Sequence, residues 1–203
     1  REMTINPELR KIHVDYSIQK PETDTIAVDM DNQPLLDEDG NFIFRPAGHG
    51  ALLENLDELN GDIVFIKNID NVVPDRLKQD TYRWKRILCG YLLELQEAIF
   101  GYMESMERGS GSEALLQEAV EFMERYLHRA VPEGFSDMDI AARRDIIFQS
   151  LNRPLRVCGM VQNVSEPGGG PFWVRMKDGS LYPQIVEKAQ IDMEDERQRR
   201  MLE

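Results

Sequence analysis

Residues 41–71 read NFIFRPAGHGALLENLDELNGDIVFIKNIDN, a stretch that changes its hydrophobic period twice. Asn41 to Arg45 alternates, with Phe42 and Phe44 on one face, which predicts a strand. Pro46-Ala47-Gly48-His49-Gly50 supplies a tight turn. Leu52, Leu53, Leu56 and Leu59 then recur at helical spacing, so a helix is expected over residues 51–59, ended by Asn60-Gly61. Ile63 to Ile66 is a continuous apolar run, the pattern of a strand buried on both faces, and it opens onto the polar tip Asn68-Ile69-Asp70-Asn71. Strand, glycine turn, helix, buried strand and polar tip are the grammar of a βαβ unit. Ile63 to Ile66 is therefore expected as a central strand with Gly48 to Gly50 beside its C-terminal end.

On the N-terminal side, Val14 to Gln19 and Thr25 to Met30 read as short strands broken by Lys20-Pro21, and Asp37-Glu38-Asp39-Gly40 reads as a turn. Beyond Pro74 the character becomes helical. Asp75 to about Glu107 predicts one long helix with Gly90 and Gly101 as kink points, and Gly109-Ser110-Gly111-Ser112 is a flexible joint. Glu113 to His128 predicts a second amphipathic helix, and Ser136 is expected to cap a third that ends before Pro154. Strand character returns at Leu155 to Val161. Phe172 to Met176 and Leu181 to Val186 flank Asp178-Gly179, which favours a hairpin. No internal repeat is evident. Three parts follow: an α/β part over 1–74, a helical insertion or side layer over 75–153, and a hairpin part with a charged tail over 154–203.

The 203 residues are 41% apolar and 30% charged, an ordinary globular balance. With 24 Lys and Arg against 37 Asp and Glu, the net charge of −13 argues against nucleic acid or an anionic membrane as the main partner. A small phosphorylated ligand is not excluded, since a cation can screen its phosphates. The two cysteines, Cys89 and Cys158, have no metal-ligand spacing and read as buried thiols of a reducing compartment, so a cytoplasmic location is expected. The most apolar stretch, Ile87 to Met103, is interrupted by Glu94, Gln96 and Glu97 and is no membrane span. The opening Arg1 and the charged end read as a fragment of something longer.

Three places carry candidate chemistry, each with a plain structural alternative. Gly48-His49-Gly50 before a helix lets an anionic ligand approach the backbone, or is a tight turn with a surface histidine. Asp70 with Asn71, after an apolar strand, suits a hard cation, or caps a turn before Pro74. Gly168-Gly169-Gly170 with Glu187 on the following hairpin suits sugar hydroxyls, or is an exposed hairpin with a solvated carboxylate.

Together these segments resemble a known family. Phe44-Arg45-Pro46-Ala47-Gly48-His49-Gly50 is similar to the Gly-His-Gly segment of UDP-glucose pyrophosphorylases and the Gly-Asn-Gly segment of UDP-N-acetylglucosamine pyrophosphorylases. Asn68-Ile69-Asp70-Asn71 is similar to their Val-Asp-Asn or Ser-Asn-Ile-Asp-Asn segment, and Asp178-Gly179 through Gln184-Ile185-Val186-Glu187 to the Asp-Gly, Gln-Val-Val-Glu hairpin of the N-acetylglucosamine branch. Tyr16-Ser17-Ile18-Gln19 resembles a strand that ends in Gln, and Thr4 to Glu8 weakly resembles their Ser-Pro-Glu-His. The order is the family's. As a whole the chain resembles an uncharacterised bacterial family, domain of unknown function 4301, taken as a relative of these enzymes.

The resemblance covers residues 1–74 and 154–192. It implies a three-layer α/β fold with a mostly parallel mixed sheet and a helical insertion. It also implies that Gln19, Gly48, His49 and Gly50 face the nucleotide, that Asp70 binds Mg²⁺, and that Asn71, Gly170 and Glu187 hold the sugar. The implied reaction is attack of a sugar-1-phosphate on the α-phosphate of UTP, which needs positioning and charge neutralisation and no nucleophilic side chain. Two departures matter: the family's glycine-rich phosphate loop, with its Arg and downstream Lys, and its later Asn-rich segment are missing. Arg45, Lys20 and Lys67 are candidate phosphate partners, with surface charge as their other role. The chain as given is thus expected to be incomplete for catalysis. The alternatives are a non-catalytic nucleotide-sugar-binding module, or a protein-interaction domain using the helical block.

Overall fold

A computed structural model describes residues 13–69, 72–109, 112–162, 168–177 and 179–202. Two compact units divide at Val72 and Val73.

The first unit is organised around a ring of three backbone hydrogen bonds. The N–H of Ala27 donates to the carbonyl of Ile43 (2.8 Å), that of Ile43 to Leu35 (3.0 Å), and that of Leu35 back to Ala27 (2.8 Å). Three extended segments bend at these residues, and each pairs with both of the others. Strand β1 (Thr25–Ile26) runs antiparallel to β2 (Phe44–Arg45). Val28 pairs with Pro34 and Leu36 with Phe42. The result is a three-armed hub.

Two of the arms close with the same turn. The Oδ1 of Asp29 accepts from the N–H groups of Asp31 (2.8 Å) and Gln33 (2.9 Å), and the Oδ1 of Asp37 from those of Asp39 (2.9 Å) and Asn41 (2.8 Å). The fourth residue of each turn, Asn32 (φ +58°) or Gly40 (φ +84°), is left-handed, a conformation that Asn and Gly adopt most readily. The three hub residues and the two turns both recur every eighth position. The repeat escapes a search on sequence because its equivalent side chains, Ala27, Leu35 and Ile43, share only apolarity; its backbone pattern is what recurs. No described residue of this unit is buried, so it is held by hydrogen bonds more than by a core.

A short helix follows, as α1 (Leu53–Asp57) preceded by a 3-10 turn (His49–Leu52). Asn55 Nδ2 donates to the carbonyl of Ile18 (2.8 Å), and Lys20 Nζ pairs with Glu58 (2.6 Å) and Glu54 (3.2 Å). The Glu58 and Glu54 carboxylates raise the Lys20 pKa above its ordinary value.

Residues 63–66 depart from expectation: they lie in no strand, and Val64, Phe65 and Ile66 are 39%, 57% and 76% exposed. An apolar run becomes a buried strand only when neighbouring backbone pairs with it, and none of the described residues does so. Val14 to Gln19 and Leu155 to Val161 are likewise unpaired. The described residues form two separate two-stranded antiparallel sheets and no parallel pair.

The second unit has the only buried core among the described residues. Helix α2 (Lys78–Glu107) runs through Gly90 and Gly101 without interruption. Helix α3 (Glu113–Tyr126) is capped by Ser112, whose side chain accepts from the N–H of Leu115 (3.2 Å). Helix α4 (Ile140–Leu151) is capped by Asp139 rather than Ser136, because Met138 is extended and separates the 3-10 turn Phe135–Asp137 from the helix proper. Leu95, Ile99 and Met106 of α2 meet Leu116, Ala119 and Met123 of α3 and Ile147 and Leu151 of α4. Leu155 and Val157 pack against this cluster as a single extended segment. Arg143 of α4 grips Glu113 at the start of α3 with two hydrogen bonds, Nη1 to Oε1 at 2.6 Å and Nη2 to Oε2.

The hairpin is as expected from the Asp178-Gly179 signal, although Asp178 itself lies outside the described residues. Strands β3 (Gly169–Arg175) and β4 (Leu181–Glu187) pair in register from Gly169 opposite Glu187 to Arg175 opposite Leu181. Phe172, Val174, Tyr182, Gln184 and Val186 are the half-buried alternate positions. Helix α5 (Glu196–Leu202) ends the chain, and no described helix is long and apolar enough to cross a membrane.

Ile147 is fully enclosed, so Ile147→Ala is expected to cost about 2–5 kcal/mol in urea denaturation. The Arg143 guanidinium lowers the Glu113 pKa. A carboxyl with a lower pKa when folded adds stability that is complete above its unfolded pKa and is lost as pH falls through the folded value. Melting temperature should therefore fall with acidification through this window, and Glu113→Gln should flatten that part of the profile.

Candidate functional site

The residues expected to face a ligand fall into the two units. In the first, Gly48 is the extended residue before the 3-10 turn, and its carbonyl accepts the N–H of Ala51 (2.9 Å). Open space surrounds the place where a Cβ would stand on Gly48 or Gly50, so the backbone there is approachable, and His49 is exposed. Gln19 sits on the segment tied to α1 through Ile18 and Lys20, and its Nε2 donates to Asp24 Oδ1 (2.9 Å). The structure thus brings the Gln19 segment and the Gly48 to Gly50 turn onto one short helix. Asp70 and Asn71 lie outside the described residues.

In the second unit, Gly170 pairs with Val186 across the hairpin. Glu187 closes a reciprocal cap: its carboxylate accepts from the N–H of Gln190, while Gln190 Oε1 accepts from the N–H of Glu187 (2.9 Å). Gly169, read in the sequence as part of a glycine-rich ligand loop, is the position where the strands come too close for a side chain, since a Cβ there would stand 2.9 Å from the carbonyl oxygen of Val186.

The strongest constellation was not visible as a motif. A cavity of about 560 Å³ opens in the second unit between α2, the end of α3, the segment after α4 and the hairpin. Leu95, Ile99 and Leu151 form part of its apolar wall, and Tyr91, Tyr126 and Tyr182 contribute rings. His128, Arg129, Arg153 and Arg156 all line it, and no Asp or Glu among the described residues does.

These groups differ in how they are held. His128 adopts φ +52° after α3 and turns the chain so that the N–H of Arg129 reaches back to the carbonyl of Met123 (3.0 Å). The His128 ring meets Trp173 edge-on, with centroids 5.8 Å apart. Arg129 is half-buried. Its Nη1 donates to the carbonyl of Ser150 and its Nη2 to the Tyr182 hydroxyl, both at 2.7 Å, and its guanidinium lies 4.6 Å from the Tyr182 ring centre. Arg156 Nη2 donates to Gln184 Oε1 (3.0 Å). Arg153 is exposed and makes no side-chain hydrogen bond or ion pair with the described residues. The one sequence signal that could have found the site is the clustering of arginines at 129, 153 and 156 in an otherwise acidic chain, but their convergence needs the fold.

Among the described residues no group of three or more His, Cys, Asp and Glu is arranged to hold a metal ion.

The sequence matches the family described as Domain of unknown function (DUF4301) over residues 4–203, and the chain belongs to that family. No curated protein and no solved structure gives a significant match.

Arg129 fastens the end of α4 to β4, so Arg129→Met should lower stability by about 1–3 kcal/mol in denaturant titration. Arg153→Ala, whose side chain has no partner among the described residues to lose, should leave stability unchanged within about 0.5 kcal/mol.

Proposed function

We propose that this member of the DUF4301 family is a binding domain for a phosphorylated small molecule of the nucleotide-sugar class, and that it does not turn its ligand over by itself. The observation that carries the proposal is the cavity with three arginines and, among the described residues, no carboxylate, in a chain of net charge −13. Positive side chains gathered against the overall charge favour an anion, and Arg presents the planar fork that phosphate oxygens fit. The volume suits a small ligand.

The resemblance to UDP-sugar pyrophosphorylases narrows the class. On that basis Gln19, Gly48, His49 and Gly50 would take the nucleotide, Asn71, Gly170 and Glu187 the sugar, and Asp70 a Mg²⁺ ion, on a three-layer nucleotidyltransferase-like scaffold. The approachable backbone at Gly48 and Gly50 supports the nucleotide part. The carboxylate of Glu187 is engaged by the N–H of Gln190, which leaves its second oxygen for a hydroxyl. No cluster of the described residues supplies a metal cage. The missing phosphate loop is why turnover is not proposed.

A second reading, a protein-interaction surface, draws on Trp84, Ile87 and Tyr91, which are 60%, 47% and 41% exposed at helical spacing on one face of α2.

Titration calorimetry against UTP, UDP-glucose and UDP-N-acetylglucosamine, with and without Mg²⁺, tests the first reading. Binding of at least one of them without pyrophosphate release is expected. Asp70→Asn should lose the Mg²⁺-dependent part of the affinity while the melting temperature stays in place, because Asn and Asp serve a turn about equally well. Silence across the panel, or robust pyrophosphate release, would overturn the proposal.

A further inference from the structure

We propose that the cavity of the second unit recognises an anionic group joined to a flat ring, without a metal ion, with Arg153 and Arg156 as the anion ligands and Arg129 as a positioning residue. The inference rests on the proposed binding of a phosphorylated ligand, and it specifies the ligand chemistry that the second unit recognises by itself.

A metal-bridged phosphate site needs hard anionic oxygens to hold the cation. Among the described residues the cavity wall offers none: its charged groups are three arginines. Anion neutralisation here must come from the guanidinium groups themselves. The three arginines are not equivalent. Arg129 has spent its terminal nitrogens on Ser150 and Tyr182, so its role is to fix the wall. Arg156 engages Gln184 through Nη2 alone, which leaves its remaining N–H groups for a ligand. Arg153 has no side-chain partner among the described residues and can present its whole fork. Arg153 and Arg156 are three residues apart in the segment that follows α4, with Pro154 between them limiting the backbone. Two guanidinium groups on a restrained segment suit an anion with several oxygens.

The rest of the wall selects what carries the anion. Leu95, Ile99 and Leu151 are apolar, and Tyr91 and Tyr126 offer ring surface. Tyr182 already lies against the Arg129 guanidinium. Rings stack on rings with a gain of about 0.5–1.5 kcal/mol beyond area burial. A bare anion would leave this surface wet, so an aromatic phosphate or carboxylate is the better fit than inorganic phosphate.

The test uses phenyl phosphate, benzoate and inorganic phosphate as probes of the full chain in EDTA, followed by calorimetry. Phenyl phosphate or benzoate is expected to bind more tightly than inorganic phosphate, and whichever is tighter identifies the anion as phosphate or carboxylate. Arg153→Ala with Arg156→Ala should weaken binding by about tenfold or more, and Arg153→Ala alone should weaken it at an unchanged melting temperature, since only Arg156 gives up a bond to the hairpin. Arg83→Ala with Arg86→Ala, exposed on α2 and outside the cavity, is the control for general surface charge and should change little. The inference is overturned if neither aromatic probe binds in EDTA, if inorganic phosphate binds as well as both, or if the control pair weakens binding as much as the cavity pair. Its fate separates from that of the nucleotide-sugar proposal. Phenyl phosphate binding through Arg153 and Arg156 with no response to any UDP-sugar removes the latter and keeps the former. UDP-sugar binding that requires Mg²⁺ and ignores both arginines does the reverse.

Discussion

The second unit depends on one side chain more than on any other. Arg129 leaves the end of α3, donates to the last turn of α4 through Ser150, and donates to the Tyr182 hydroxyl on β4. A helix pair and a two-stranded hairpin have no shared backbone ladder, and a lone hairpin is marginal in water. A half-buried guanidinium is well suited to join them, because it carries five donors in a fixed plane while its stem covers apolar surface. The left-handed turn at His128 is what aims Arg129 at its acceptors, so a backbone conformation that His adopts more readily than most side chains sits at the point where the cavity begins. Fold and candidate site therefore share their central element.

The two units are built on opposite economies. The helical unit excludes water: Leu116, Met123 and Ile147 are almost fully enclosed, and the ring ladder Tyr102, Phe122, Tyr126 extends the packing to its edge. Burial also raises the Tyr102 pKa, with Glu118 adding to the effect. The hub unit buries nothing among its described residues and satisfies its backbone instead, through the cyclic bonds at 27, 35 and 43 and the aspartate turns. The Asn41 N–H and side chain hold the Asp37 carboxyl below its ordinary pKa, so the turn is made by a charged acceptor.

How much of this was legible follows from which forces are local. The three helices were visible because a 3.6-residue apolar period over 12 or more residues is a long signal; the second starts at Glu113 as expected, and the third ends before Pro154. Ser136 was read as the cap of the third helix; the extended Met138 separates it from the helix, and Asp139 takes the place. The Asp178-Gly179 turn marked the hairpin because turn chemistry is local too. Ile63 to Ile66 misled because pairing is non-local, and four apolar residues state a preference without naming a partner. The cavity was invisible for the same reason: His128, Arg129, Arg153 and Arg156 carry no fixed spacing, and they meet only once α3, α4 and the hairpin have packed. Gly48, Gly50 and Gln19 were read as a ligand set from their resemblance and are found on one local scaffold, whereas Glu187 is found with a structural duty of its own.

The three-armed hub has a consequence for how this chain can vary. Its donors and acceptors close a circle, so each of positions 27, 35 and 43 must keep its N–H, and proline is barred from all three although Pro34 stands directly beside one of them. The circle also counts. An arm lengthened by one residue would shift its partner's register and turn every following side chain to the opposite face. One residue added on each side of an arm, by contrast, keeps the hub in phase. Length changes in the arms should accordingly come in pairs, and the tips of the arms, not the hub, should carry the variation in sequence.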